Sequence, residues 1–160
     1  IDKIKDRARL DKKTIVLPET TDKRTLIAAA KIMEEGIADI ILIGNEEKIM
    51  DGAGWLEVDL DKATIINPAT TDKLDKYVDL LYETRKSKGM TLEKAREILL
   101  SDYLTFGIVM VKANDADGMV AGQVIDTLHA PKTEAQLTEV HHLKTGAMIA
   151  GACKLVRNFR

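Results

Sequence analysis

Arg85 heads a short run of cations, with Lys86 and Lys88, at the end of a helical pattern that Gly89 closes. A guanidinium can grip phosphate through two parallel N–H donors, and neighbouring lysines add positive charge. The same residues also suit a solvated helix end, and without further information that plainer reading is favoured. Lys144, beside Thr145, offers a second anion contact, but it also suits an amphipathic helix with its stem laid along apolar neighbours. Asn45 follows an apolar run and opens a helical one, so its free backbone amides suit an anion. Ordinary capping explains Asn45 at least as well.

Other chemistries find less support. His141 and His142 are adjacent, so on a helix they point about 100° apart and cannot share one metal. Asp115, Asp117 and Asp126 lack the alternating oxygen ligands and closing glutamate of a calcium loop and read as turn residues. Gly44-Asn45 and Gly52-Ala53-Gly54 lack the spacing of either nucleotide fingerprint. Cys153, the one cysteine, sits among small and apolar residues and reads as a buried thiol. One cysteine excludes an internal disulfide and fits a reducing, cytoplasmic setting. A net charge of −2 over 160 residues gives no footprint for nucleic acid, and no apolar run is long enough to cross a bilayer. The composition, 45% hydrophobic and 31% charged, is that of a globular protein with a proper core.

The elements that must position these residues alternate. Residues 1–10 predict a charged helix with Ile1, Ile4 and Leu10 on one face. Thr14–Leu17, Ala38–Gly44, Ala63–Ile66 and Gly118–Gly122 predict four short strands. Between the first two lies a helix capped at Thr20–Asp22, with Leu26, Ile27, Ala30 and Met33 apolar. Asn45 caps the next helix, and Asp51–Asp61 reads as a loop. Asp72–Lys88, a helix capped by Thr91, and a third capped by Ser101 over about 102–113 follow. Thr133 opens a last, long helix through a capping box. The order argues an α/β fold: a parallel sheet of about four short strands with helices on both faces, plus a long C-terminal helix. Ligands in such sheets bind beyond the strand C-terminal ends, here Pro18–Thr21, Gly44–Asn45, Asn67–Pro68 and Gly122–Gln123. An edge strand or helix face left uncovered would favour a homo-oligomer.

Four stretches carry a family resemblance. Lys13–Thr20 (KTIVLPET), Glu35–Asn45 (EGIADIILIGN), Leu81–Glu93 (LYETRKSKGMTLE) and Asp115–Gly122 (DADGMVAG) are similar, in order and spacing, to the opening part of phosphate acetyltransferases. The resemblance covers residues 1–122. It implies acetyl transfer between coenzyme A and inorganic phosphate, with coenzyme A as substrate and no required cofactor or metal. It places Arg85 near the phosphate and coenzyme A site. The family's hydroxyl-rich loop and Asp-Thr-Leu-Arg-Pro run meet Gln123–Pro131 here, with His129 near the expected arginine. An imidazole makes fewer phosphate contacts than a guanidinium. The resemblance puts the acidic base and a serine–arginine pair in a later half that this chain does not reach.

Residues 118–157 also resemble a segment of trans-prenyltransferases, through Gly118–Asp126 and His142–Ile149, where Gln123, Lys144 and Thr145 would face a diphosphate. That chemistry needs aspartate-rich magnesium sites, and the chain has no Asp-Asp dipeptide. The sequence thus predicts a region over 1–122 and a helical tail over 123–160, joined near Asp117–Gly122. Three functions follow: a truncated or chimeric phosphate acetyltransferase, binding a small acyl phosphate or coenzyme A; a catalytically silent chimera; or a weak diphosphate binder. The candidate binding residues are Arg85, His129, Lys144 and Gln123.

Overall fold

The computed structural model describes residues 2–122. Helix α1 spans Asp2–Leu10, followed by β1 (Lys13–Leu17), α2 (Lys23–Glu34), β2 (Ala38–Ile43), α3 (Glu46–Leu56) and β3 (Thr64–Ile66). Then come α4 (Leu74–Arg85), a 3₁₀ turn (Lys86–Lys88), α5 (Leu92–Ser101), α6 (Tyr103–Lys112) and β4 (Gly118–Met119). The four strands form one parallel sheet in the order β3-β2-β1-β4. The expected α/β architecture is therefore present. The long C-terminal helix expected beyond Thr133 lies outside the described residues.

Strand alternation divides the core in two. Val16, Ile41 and Ile43 point to one face, where they meet Tyr77, Val78 and Leu81 of α4, Ala95 and Leu99 of α5, and Phe106, Val109 and Met110 of α6. Leu17, Ile40 and Leu42 point to the other, against Leu26 and Ala29 of α2 and Ile49 and Ala53 of α3. Period-two alternation with apolar residues on both faces is what a buried parallel strand requires. The chain winds outward through α2 and α3, then returns across the sheet through α4–α6 to set β4 beside β1. Crossovers share one hand, so reversing direction puts the second set of helices on the opposite face. Helix α6 comes close to the sheet because residue 107 is glycine. A Cβ there would lie 2.7 Å from Met119 Sδ and 3.2 Å from Val16 Cγ1.

Several local expectations need correction. Helix α1 forms, but Ile4 and Leu10 are 72% and 88% exposed, so its apolar face is not buried. Ion pairing and a hydrogen bond hold it instead: Lys5 bonds the Glu35 carboxylate, and Arg9 Nε donates to the Glu35 carbonyl at 2.8 Å. In α2 the buried positions are Leu26 and Ala29, while Ile27 is exposed. Asp51–Asp61 is not all loop, because α3 runs to Leu56. Burial of Ile49 and Ala53 outweighs the poor helix propensity of Gly52 and Gly54. Helix α4 ends at Arg85 rather than Lys88, and the last three residues tighten into the 3₁₀ turn before Gly89 (φ 78°). Helix α6 is capped by Asp102, whose carboxylate accepts from Leu104 N at 3.0 Å. Ser101 belongs to α5, where its hydroxyl donates to the Glu97 carbonyl at 2.8 Å.

Candidate functional site

The C-terminal edge of the sheet carries a cleft of about 630 Å³. Its floor is the junction of the β1–α2 and β2–α3 connections. The Thr20 hydroxyl, buried, donates to the Ile43 carbonyl at 2.7 Å. Gly44 has φ +150°, and a Cβ there would stand 2.9 Å from Thr20 Oγ1. Only glycine allows the two connections to approach this closely. The expected ligand-side positions Thr20–Thr21 and Gly44–Asn45 thus converge in space, and the cleft includes all four.

The walls come from two helix starts. Asn45 caps α3 by accepting from Lys48 N at 3.0 Å, as the sequence predicted. Asp22 caps α2 by accepting from Arg24 N at 2.9 Å, and the Arg24 guanidinium folds back on it. Hydrogen bonds from the Arg24 side chain and then its backbone amide lower the Asp22 carboxyl to a pKa of about 2. Arg24 is therefore committed locally. Lys23 and Lys48 line the cleft, and Trp55 and Tyr103 bring aromatic surface to it. Sequence reading missed these four. A stripe of Lys48, Gly52 and Trp55 at i, i+4 and i+7 would have shown three of the cleft's residues, had the helix been extended through its glycines.

Arg85 is elsewhere. It is exposed at the C-terminal end of α4 and makes no side-chain hydrogen bond or ion pair with the described residues. Its neighbour Lys86 is held by Glu83 at 2.6 Å, so charge around the turn is partly balanced. Gln123, His129 and Lys144 lie outside the described residues.

Asp115, read as a turn residue, has more to do. It accepts from Tyr77 Oη at 2.8 Å and from Lys73 Nζ and Lys76 Nζ, each at 3.1 Å. Burial alone would raise its pKa, but the Tyr77, Lys76 and Lys73 hydrogen bonds together bring it down to about 2. Burial first, then this carboxylate, push the Tyr77 hydroxyl well above the ordinary tyrosine range. The Tyr77 hydroxyl and both lysine ammonium groups converge on this one carboxylate, so the cluster joins α4 to the turn before β4. Asp117 acts similarly at the other strand: its carboxylate accepts from Thr14 N at 2.8 Å. Among the described residues no group of three or more His, Cys, Asp or Glu could hold a metal.

The family model for phosphate acetyl/butaryl transferases matches residues 1–153. The chain belongs to this family. A phosphate acetyltransferase of Acetivibrio thermocellus is 46% identical over 159 residues, covering 99% of this chain and 44% of its own length. One from Thermoanaerobacterium thermosaccharolyticum is 48% identical over 124 residues, 78% of this chain and 37% of its own. Solved structures agree. The EutD phosphotransacetylase from Staphylococcus aureus superposes with a TM-score of 0.70 at 36% identity, over 79% of this chain and 38% of that one. A phosphotransacetylase from Streptococcus pyogenes gives 0.72 at 34%, with the same coverage. The chain thus spans less than half the length of these relatives. The family match runs through the expected junction near Asp117–Gly122, and no finding supports a trans-prenyltransferase segment over 118–157.

Proposed function

We propose that this chain contributes to acetyl transfer between coenzyme A and inorganic phosphate, with Arg85 as a phosphate-binding residue. The family match over residues 1–153 carries the reading. Arg85 adds to it as an exposed guanidinium, free of any partner among the described residues, beside a tight turn. In the reaction the coenzyme A thiolate attacks the acetyl carbonyl of acetyl phosphate. A C–S bond forms, the bond between the acyl carbon and the bridging oxygen breaks, and phosphate leaves with that oxygen and the electron pair. A guanidinium fork on the phosphate oxygens neutralises charge that grows as that bond breaks. A cytoplasmic setting and self-association belong to the same proposal and are open to fractionation and sedimentation.

The chain spans 44% of the Acetivibrio thermocellus relative, and none of the residues described is placed as the base that takes the thiol proton. Turnover is therefore measured directly, as acetyl-coenzyme A formed from acetyl phosphate and coenzyme A. Activity that falls about 10- to 100-fold in kcat/KM in Arg85→Ala supports the proposal, the size expected for losing a charge-assisted bidentate contact. Turnover unaffected by Arg85→Ala removes the residue's role. No turnover, together with no thermal shift from coenzyme A, phosphate or acetyl phosphate, leaves a catalytically silent scaffold.

A further inference from the structure

The cleft at the β1 and β2 ends has a polarity of its own. Lys48, Gly52 and Trp55 recur at i, i+4 and i+7 on α3, forming one stripe about 10 Å long. Lys48 stands at its sheet end and Trp55 at its outer end. Gly52 between them leaves the backbone bare, and a Cβ there would press on Leu26 Cδ1 at 3.1 Å. Lys23, at the start of α2, lines the same cleft. Neither lysine side chain has a hydrogen-bond or ion-pair partner among the described residues. Glu46 and Glu47, the acids of the first turn of α3, fall about 160° and 100° around the helix from Lys48, off the stripe. Trp55 is 89% exposed, so its ring adds little to either core cluster.

We infer that this cleft binds a nucleoside phosphate, with the base against the Trp55 indole and the phosphates between Lys48 and Lys23. Three independent features point the same way. The cleft lies beyond the C-terminal ends of parallel strands, where such sheets bind ligands. Its volume falls within the range of small-molecule sites. Its two ends differ in chemistry: Lys48 and Lys23 stand at the sheet end beside the Tyr103 ring, whereas the outer end carries the exposed Trp55 indole. Their separation of about 10 Å along the stripe matches the span of a nucleoside diphosphate. An aromatic face stacks on any base, and a lysine ammonium serves phosphate as a point charge. Arg85 is not among the cleft residues, so the inference stands apart from the acyl-transfer reading.

Trp55 is the chain's one tryptophan, so intrinsic fluorescence reports this cleft directly. ADP, adenosine and inorganic phosphate are titrated into the full chain, with coenzyme A as a separate arm. Saturable quenching by ADP is expected, at least tenfold tighter than by adenosine. In the Lys23→Gln/Lys48→Gln variant, its fold checked by circular dichroism, ADP binding weakens at least tenfold. Trp55→Ala, followed by calorimetry, weakens it comparably. If coenzyme A gives the same variant-dependent quenching, the nucleotide end of that molecule is the source; if only ADP does, a free nucleotide is. Absence of saturable quenching by ADP overturns the inference, as does ADP binding that the lysine substitutions leave unchanged.

Discussion

The Tyr77 hydroxyl donates to the Asp115 carboxylate at 2.8 Å, joining α4 to the turn that leads into β4. The two residues are 38 positions apart, and the Tyr77 ring also stands edge-on to Phe106 at 5.2 Å between centroids. One side chain therefore anchors both an apolar cluster and a polar one. Tyr77→Phe keeps the ring and removes only the donor. It should cost about 1–2 kcal/mol in urea unfolding, the range for a hydrogen bond to a charged group that retains other partners. In a double-mutant cycle with Asp115→Ala, which removes the acceptor, the two losses should fall well short of adding. Full additivity would show that the bond contributes nothing.

The lowered Asp115 carboxyl sets a pH dependence. Its folded value of about 2 lies below the ordinary 3.8, so the native state favours the charged form. That stability is fully present above about pH 4 and is lost as pH falls toward 2. The side chain is 18% exposed and its lysine partners more so. Solvent screening reduces the contribution to about 1–2 kcal/mol. Urea midpoints measured from pH 6 to 2.5 should therefore decline less steeply in Asp115→Asn than in the parent. Equal slopes would assign the acid lability to other carboxylates.

Gly107 tests the contact between α6 and the sheet. Alanine is the better helix former, but its Cβ would meet Met119 Sδ at 2.7 Å, Val16 Cγ1 at 3.2 Å and Ile43 Cδ1 at 3.3 Å. Overpacking at three atoms outweighs propensity, so Gly107→Ala should destabilise by about 1–2 kcal/mol. In a Met119→Ala background the shortest contact is gone and the cost should shrink. A stabilised Gly107→Ala protein would mean that α6 can retreat freely.

Asp102 caps α6 through Leu104 N, and its second carboxylate oxygen accepts from the Thr105 hydroxyl. Asp102→Ala should lower thermal stability by about 1 kcal/mol. Ser101→Ala, which removes only a bond back onto α5, should change it by less than about 0.5 kcal/mol. The reverse ranking would restore Ser101 as the cap that the sequence suggested.

What the sequence disclosed was mostly local. Asn45 and Thr91 were readable as caps, because a side-chain oxygen before an apolar pattern acts over three residues. Ala38–Ile43 was readable as a buried strand from its continuous apolar run. The extension of α3 through Gly52 and Gly54 was hidden, because packing against the sheet decides it, not propensity. The roles of Asp115 and Asp117 were hidden for a different reason. Their partners stand 38 to 103 residues away, and no spacing rule reaches that far. Arg85 needed the family resemblance to stand out, since a solvated helix end looks the same in one dimension. The cleft is only half legible: strand ends place Thr20–Thr21 and Gly44–Asn45, but Gly52 and Gly54 mask the helix that carries Lys48 and Trp55.

The register Ile15↔Gly118 and Val16↔Met119 makes the second strand to flank β1 arrive about a hundred residues later in the chain. A ribosome adding about 5–20 residues per second takes on the order of 5–20 s to deliver it. Once β2 has emerged, and until β4 arrives, the nascent β1 has a partner on one side and an open ladder of amides and carbonyls on the other. Synthesis thus passes through a stage at which that bare border can recruit a foreign strand, and a chaperone shielding it would be needed most before residue 118 emerges.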